Sequence, residues 1–435
     1  MKIAKMLVWG RLGLIVMTTL FLIFWLFNAL LESQENRVYV QSTEAREVYA
    51  HVIIGHGNPA SGLAHYVEHL AWLNTVGAKQ RSADRHTNAW TNSYAAGYWL
   101  SGKPDELEEI LQILSGLFEP LEIPAEFAEE EREIILREYE SHFIDKPDAQ
   151  AAEAMDAFLY AGNSLASSVL GTPEDIRGFS YEDARAMHAA THRPENATLV
   201  VTGGVTERDV SRALKTVEWP AKQSADTESQ PPTFELTKPD DTLLRYPEKE
   251  ASARVTLRHV VALPEPIPFD LLETHALLLA DILNTNLAGG LAGPLRFDNA
   301  IARGFDVQVW PLDERHIELR FSAAPDSGVS LSAVQTAFKE TLAEIADAGI
   351  PDETYQRVSK RFENFWPDWE DDDETARWMA DYTLERVAVL RQPLPLSDVK
   401  RLEQQLSHHT INALLNEISG EGRTAVAFIG PKERF

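Results

Sequence analysis

Apolar positions fall along this chain into segments whose period changes from one to the next. From Leu12 to Leu31 nearly every position is apolar. That is about twenty residues, enough to cross a bilayer as a helix. Short apolar runs follow at Val48–Ile54 and at Thr198–Thr202, the second closed by Gly203-Gly204, and both read as strands. Ala253–Leu263 and Thr424–Ile429 repeat that pair, the latter followed by Gly430-Pro431. Long helical stretches such as Leu271–Leu287 and Ser330–Ala348 lie between these strands. The order of elements thus repeats after about 190 residues, a repeat of element order and not of identity. Trp219–Pro247 is rich in Pro, Ser, Thr and Asp, with Gln230-Pro231-Pro232 at its centre, and reads as a linker. Strands and helices mix without strict alternation, so the expected class is α+β, with two homologous domains that each pack a mixed sheet with helices. A length of 435 residues suits that count. The expected divisions are 1–36, a cytoplasmic stub and transmembrane helix; 37–218, a first domain; 219–247, the linker; and 248–435, a second domain.

Charge gives the apolar segment a direction. Lys2, Lys5 and Arg11 precede it, and Glu32 and Glu35 follow it. Positive charge stays on the cytoplasmic side, which puts the bulk of the chain outside. A cleaved signal peptide is the rival reading. Its apolar region is shorter, roughly 7–15 residues, and Asn28-Ala29-Leu30 matches a small-x-small cleavage site poorly. An uncleaved anchor is preferred. The chain has no cysteine, which fits an exported protein without disulfides. A single-pass protein of a bacterial inner membrane, with its bulk in the periplasm, is the expectation. The net charge of −27 argues against nucleic acid as a partner, because phosphate binding needs a basic face.

The chemistry centres on His65-Tyr66-Val67-Glu68-His69. Two imidazoles four residues apart on a helix lie on one face, one turn apart, and can share one metal ion. Glu68, three residues after His65, leans toward the same face. This is the H-x-x-E-H order, with two ligands and a carboxylate that can act as a base. Catalytic zinc needs a third protein ligand and an open position for water. Glu131-Arg132-Glu133-Ile134-Ile135-Leu136-Arg137-Glu138 offers one. Apolar residues at 127, 134, 135 and 139 suggest a helix with a buried side. Glu131 and Glu138 are two helical turns apart and share a face. One can ligate zinc while the other hydrogen-bonds a ligating histidine. A plain solvated acidic helix is the competing reading.

The stretch from Val48 to about Val210 resembles the pitrilysin family of zinc peptidases, which includes insulin-degrading enzyme and mitochondrial processing peptidase. Gly62 through Leu70 resembles its signature, Thr87-Asn88-Ala89-Trp90-Thr91 its Asn-Ala-aromatic-Thr strand, and Glu131–Glu138 its E-x6-E helix. Leu170-Gly171-Thr172-Pro173-Glu174-Asp175-Ile176 and Arg193 through Val201 fit as well. His69 to Glu138 spans 69 positions, several fewer than usual in the family, with the shortening assigned to a loop between Trp72 and Thr87. The resemblance implies His65, His69 and Glu138 as zinc ligands, Glu68 as the catalytic base and Glu131 as the residue supporting a ligand. It implies an edge strand in which Asn88, Ala89 and Trp90 meet an extended peptide substrate by main-chain pairing. Its activity would be endopeptidase hydrolysis of peptides or small unfolded proteins. The second reading is a non-catalytic member that binds peptides or serves assembly; an intact H-x-x-E-H with both glutamates argues against it.

In the second half, Leu295-Arg296 through Gly304-Phe305 resembles the family's segment that supplies an arginine and a tyrosine to a zinc site across the molecule. Phe305 stands where the tyrosine would be, without a hydroxyl to donate to an oxyanion. A homologous subunit carrying the Arg/Tyr pair is therefore expected as a partner; the rival reading is that the alignment slips here and Phe305 is merely a core residue. His188 and His192 are also four apart, but no glutamate occupies the base position and Arg193-Pro194 follows at once, so a core or surface pair is favoured. The acidic run Trp366–Glu374 reads as a solvated helix start.

Overall fold

The computed structural model describes residues 37–55, 62–80, 87–220, 234–236, 238–249, 251–362, 380, 383–384, 386–388 and 401–435. In the first half the order is β1 (Arg37–Ser42), β2 (Val48–Gly55), α1 (Leu63–Gln80), β3 (Thr87–Thr91), β4 (Ala95–Gly102), α2 (Leu107–Ser115), α3 (Ala125–Phe143), α4 (Pro147–Leu159), α5 (Pro173–Gly178), α6 (Tyr181–Thr191), β5 (Ala197–Gly203) and α7 (Glu207–Thr216). The second half runs β6 (Asp240–Pro247), β7 (Arg254–Ala262), α8 (Phe269–Leu283), β8 (Ala302–Pro311), β9 (His316–Pro325), α9 (Leu331–Ala348), α10 (Asp352–Phe362), α11 (His408–Ile418) and β10 (Arg423–Gly430).

The two sheets share one topology. Their orders are β1-β5-β2-β4-β3 and β6-β10-β7-β9-β8. In each, the first strand pairs parallel with the last, and the other pairings are antiparallel. The α+β class and the internal repeat expected from element order are present. Each repeat begins one strand earlier than expected. β1 precedes Val48, and β6 lies inside the segment assigned to the linker. β6 escapes notice because it is a sheet edge, paired only with β10 and half-exposed along its length, and its Leu243, Leu244 and Tyr246 are mixed with Asp240, Asp241, Thr242 and Arg245 rather than forming an apolar run.

α1 continues to Gln80, so residues 73–80 are helix and not loop. Leu12–Leu31 and Trp366–Glu374 lie outside the described residues. Among the described residues no helix is long and apolar enough to cross a membrane.

β2 is buried along its whole length, so both faces of its sheet are covered. Val48, Ala50, Val52 and Ile54 pack with α2 and the Trp72 end of α1. On the opposite face Ile53 packs with Leu384, Val387 and Ala388 from the second half. The cover is reciprocal: Ala151, Met155 and Leu159 of α4 pack on Val260, Ala425 and Ala427 of the second sheet. Charge reinforces this exchange. Arg258 on β7 reaches Asp156 of α4 at 2.7 Å, and Tyr160 donates to the fully buried Glu318 of β9 at 2.8 Å.

Candidate metal centre and cleft

Helix α1 is apolar almost all round, as a helix inside a domain must be. Tyr66, Val67 and Leu70 pack with Ala128 and Ile135 of α3 and with Ala184 of α6. The Tyr66 hydroxyl donates to the Ala128 carbonyl at 3.0 Å and fixes the register of the two helices. Gly62 starts α1 at φ +78, and a Cβ there would lie 2.6 Å from the Leu170 carbonyl oxygen, so the loop before α5 closes directly on the start of the helix. Three polar residues of α1, His65, Glu68 and His69, thereby turn toward α3 and β3.

His65 Nε2 and His69 Nε2 lie 3.2 Å apart. Glu138 Oε2 is 3.7 Å from the first and 3.6 Å from the second. Donors held at ~2.0–2.1 Å around a tetrahedral zinc ion stand about 3.4 Å from one another. The three atoms therefore fit one small cation, and among the described residues this is the one such group. Glu131 Oε2 lies 2.9 Å from His69 Nδ1, with both side chains buried. That bond places the Nδ1 proton on the glutamate side and leaves the Nε2 lone pair for a metal.

Protonation states fit the same use. Burial, helped by His69, pushes the His65 imidazole down to about 3, so it is neutral at neutral pH. At His69 burial also lowers the value, but the hydrogen bond to Glu131 and the charges of Glu68, Glu138 and Glu131 outweigh it and raise His69 above the ordinary value. A divalent cation would compete with that proton for the same carboxylate-rich place.

Glu68 Oε2 is 3.8 Å from His65 Nε2 and accepts from the Thr91 hydroxyl at 3.2 Å. These residues open into a cleft of about 680 Å³ lined also by Trp72, Asn88, Ala89, Trp90, His142 and Leu170. All eight residues singled out in the sequence therefore meet in one place: seven line the cleft, and Glu131 supports it from behind. β3 is the edge of its sheet and offers one side of its backbone to an extended chain.

The buried stripe of α3 differs from the expected one. Ala128, Glu131 and Ile135 are buried while Phe127 is exposed. A charged position sits on the buried side because it serves His69. His142 was not singled out, although it follows Glu138 by one turn, a spacing that would have flagged it. Trp72 and Leu170 enter the cleft only through tertiary packing. Phe305, on β8, is partly buried and packs against the second-half core, its ring centroid 6.2 Å from that of Phe321. His188 and His192 stack at 4.3 Å in the core, with His192 bonded to Tyr98.

Comparison with known proteins agrees with this arrangement. The family described as "Insulinase (Peptidase family M16)" matches residues 37–173, and "Peptidase M16 inactive domain" matches residues 178–362. The chain is similar to the probable mitochondrial-processing peptidase subunit beta of Schizosaccharomyces pombe, with 26% identity over 158 residues, 34% of each chain. It is also similar to the mitochondrial cytochrome b-c1 complex subunit 1 of Bos taurus, with 23% identity over 157 residues, 34% of this chain and 32% of that one. The matched region thus spans about a third of these relatives' length. Among solved structures, a protease from Helicobacter pylori superposes with a TM-score of 0.74 at 15% identity, over 91% of this chain and 97% of that one. The first half of the periplasmic protease PqqL from Escherichia coli gives 0.72 at 16%, over 91% and 89%. At such identities the likeness is one of fold.

Proposed function

The chain belongs to peptidase family M16, and from that premise we propose that it is a zinc-dependent endopeptidase acting on peptides or small unfolded proteins. The observation that carries the reading is the convergence of His65, His69 and Glu138 within bonding reach of one cation, with Glu68 alongside. A family member that kept only the fold would have no use for this set. The rival reading, a non-catalytic binding or assembly subunit, draws on the likeness to the cytochrome b-c1 subunit.

His65, His69 and Glu138 would hold the ion, and zinc there supplies Lewis acidity, which lowers the pKa of water and polarises a carbonyl. Glu131 keeps His69 in the tautomer that presents Nε2. Glu68 takes the proton of the attacking water and delivers it to the leaving amine. The free edge of β3 aligns the substrate backbone, with Asn88, Ala89 and Trp90 beside it.

Phe305 supports a further element of the proposal. It brings no hydroxyl, and on that ground a homologous subunit would supply the Arg/Tyr pair; its partly buried packing against the second-half core favours the rival reading that Phe305 is a core residue. The apolar segment Leu12–Leu31 and the charges that flank it support a membrane tether with the cleft in the periplasm. The test is peptide cleavage by tagged protein purified from its native membrane with whatever accompanies it, wild type against Glu68→Gln. Cleavage by the wild type alone upholds the proposal. Equal behaviour of the two, with a homologous chain present, favours the binding subunit.

A further inference from the structure

Glu68 stands in a buried place where a carboxylate has a choice of orientations, and the structure shows what removes that choice. The Thr91 hydroxyl donates to Glu68 Oε2 at 3.2 Å. Thr91 ends β3, opposite Ala96 of β4. Beyond it the chain turns sharply, and the turn is locked. Asn92 Oδ1 accepts from the backbone N–H of Tyr94 at 2.8 Å and of Ala95 at 2.9 Å, while the Asn92 N–H donates to the Ala95 carbonyl at 2.9 Å. At the other end of the strand Thr87 Oγ1 donates to the Trp99 carbonyl at 2.9 Å. The hydroxyl at 91 therefore sits on a fixed backbone and not on a loose loop.

A second group behind Glu68 is prevented from competing. Tyr98, fully buried on β4, lies close enough for the charge on Glu68 to add to burial in holding its phenol well above the ordinary value. Its hydroxyl is already committed. Thr191 Oγ1 donates to the Met187 carbonyl at 2.8 Å, so at 3.0 Å from His192 Nδ1 it can only accept. His192 thus carries its proton on Nδ1, and Nε2 accepts from the Tyr98 hydroxyl at 2.8 Å. The phenolic proton points away from Glu68. Thr91 is a donor aimed at the carboxylate from the sheet.

We infer that Thr91 is a positioning residue for the reaction: its hydroxyl orients the Glu68 carboxylate for proton transfer and takes no proton itself. This role presupposes the peptidase activity proposed above. Thr91 also belongs to the substrate strand, so two roles must be separated, one on the base and one on binding. The two leave different kinetic marks, since loss of an interaction needed only in the transition state lowers kcat and loss of uniform binding raises KM.

The test is steady-state cleavage of a fluorogenic peptide by the full chain as wild type, Thr91→Val, Thr91→Ser and Glu68→Gln, with zinc content and melting temperature measured on each. The expected result is a fall of about 10-fold or more in kcat for Thr91→Val, with KM within about 2-fold and zinc retained. Thr91→Ser, which keeps the donor, should recover most of the loss. An unchanged kcat in Thr91→Val while Glu68→Gln is inactive overturns the role and leaves the peptidase reading intact. A rise in KM alone assigns Thr91 to binding and overturns it as well. Equal cleavage by wild type and Glu68→Gln removes the base itself and the inference with it. A crystal structure of Thr91→Val gives a readout independent of turnover: the Glu68 carboxylate should shift or occupy two rotamers, and an unmoved side chain counts against the role.

Discussion

His69 Nδ1 and Glu131 Oε2 meet at 2.9 Å behind the metal-binding face, joining two helices whose sequence positions are 62 residues apart. The bond sets both the tautomer and the orientation of the imidazole. Glu131→Gln keeps the shape but weakens the acceptor and can present an amide N–H to the ring instead. Zinc affinity should drop about 10–100-fold, the range typical of such supporting residues. A competition titration with a chromogenic chelator measures it directly. An affinity equal to that of the wild type would show that Glu131 merely fills space on the buried side of α3.

The strand that lines the cleft depends on a glycine. Trp90 of β3 lies opposite Gly97 of β4, and a Cβ at Gly97 would stand 2.2–2.6 Å from three indole atoms. The indole also packs with Ile53 and Leu384 on the far face of the sheet. Gly97→Ala must push the ring outward and disturb the free edge. Stability should fall by about 1–3 kcal/mol, as for other overpacked sites. KM for an extended peptide should rise by more than kcat falls. Paired thermal melts and kinetics on that variant test both statements.

Much of this site was legible because helical spacing fixes neighbours. His65 with His69, and Glu131 with Glu138, had to share faces, and their residue types left few chemistries open. The buried position of Glu131 also resolves the competing reading of α3 as a merely solvated acidic helix. The edge strands were less legible. β6 is a strand paired on one side and half-exposed, so it needs few apolar residues, and Leu243, Leu244 and Tyr246 stand too isolated among acidic and polar neighbours to mark it off from a linker. Trp72 and Leu170 reach the cleft through packing between distant segments, which no local period encodes. The exchange by which α4 covers the second sheet and Leu384, Val387 and Ala388 cover the first is equally silent, since an apolar face does not say whose sheet it covers.

Phe305 makes a prediction about assembly. Its ring packs beside Phe321 and carries no group that can donate to a reacting carbonyl. The purified chain alone should cleave slowly, and addition of a homologous subunit bearing the Arg/Tyr pair should raise kcat at saturating peptide. A donor to the developing oxyanion is worth about 10²–10³ in rate in other hydrolases. Activity measured against added partner, with the mass of the complex from light scattering, checks both parts. Full activity in a strictly monomeric preparation would dismiss the partner.

The two halves are tied by a buried charge cluster whose stability contribution depends on pH. Glu318 is fully buried and takes Arg258 Nε at 2.5 Å, Arg320 at 2.7 Å and the Tyr160 hydroxyl at 2.8 Å. Burial alone would raise its carboxyl, but the charges of Arg258 and then Arg320 prevail and hold it below the ordinary 4.5. A carboxyl depressed in the folded state stabilises the fold at all pH values above its unfolded value, and this contribution fades as pH falls through the depressed one. Glu318→Gln removes the charge and leaves Arg258, itself buried, without its main counter-ion. The loss at neutral pH should be about 3–5 kcal/mol, the range for breaking a buried pair by removing one partner. Below pH 4.5 the wild type should lose stability as this carboxyl takes up its proton, while the variant, having no such group, should vary less with pH over the same window. Urea unfolding at a series of pH values from neutral to below 4 gives both curves. Parallel curves would show that the cluster is not titrating in the folded chain and that its role is geometric, holding α4 against the second sheet.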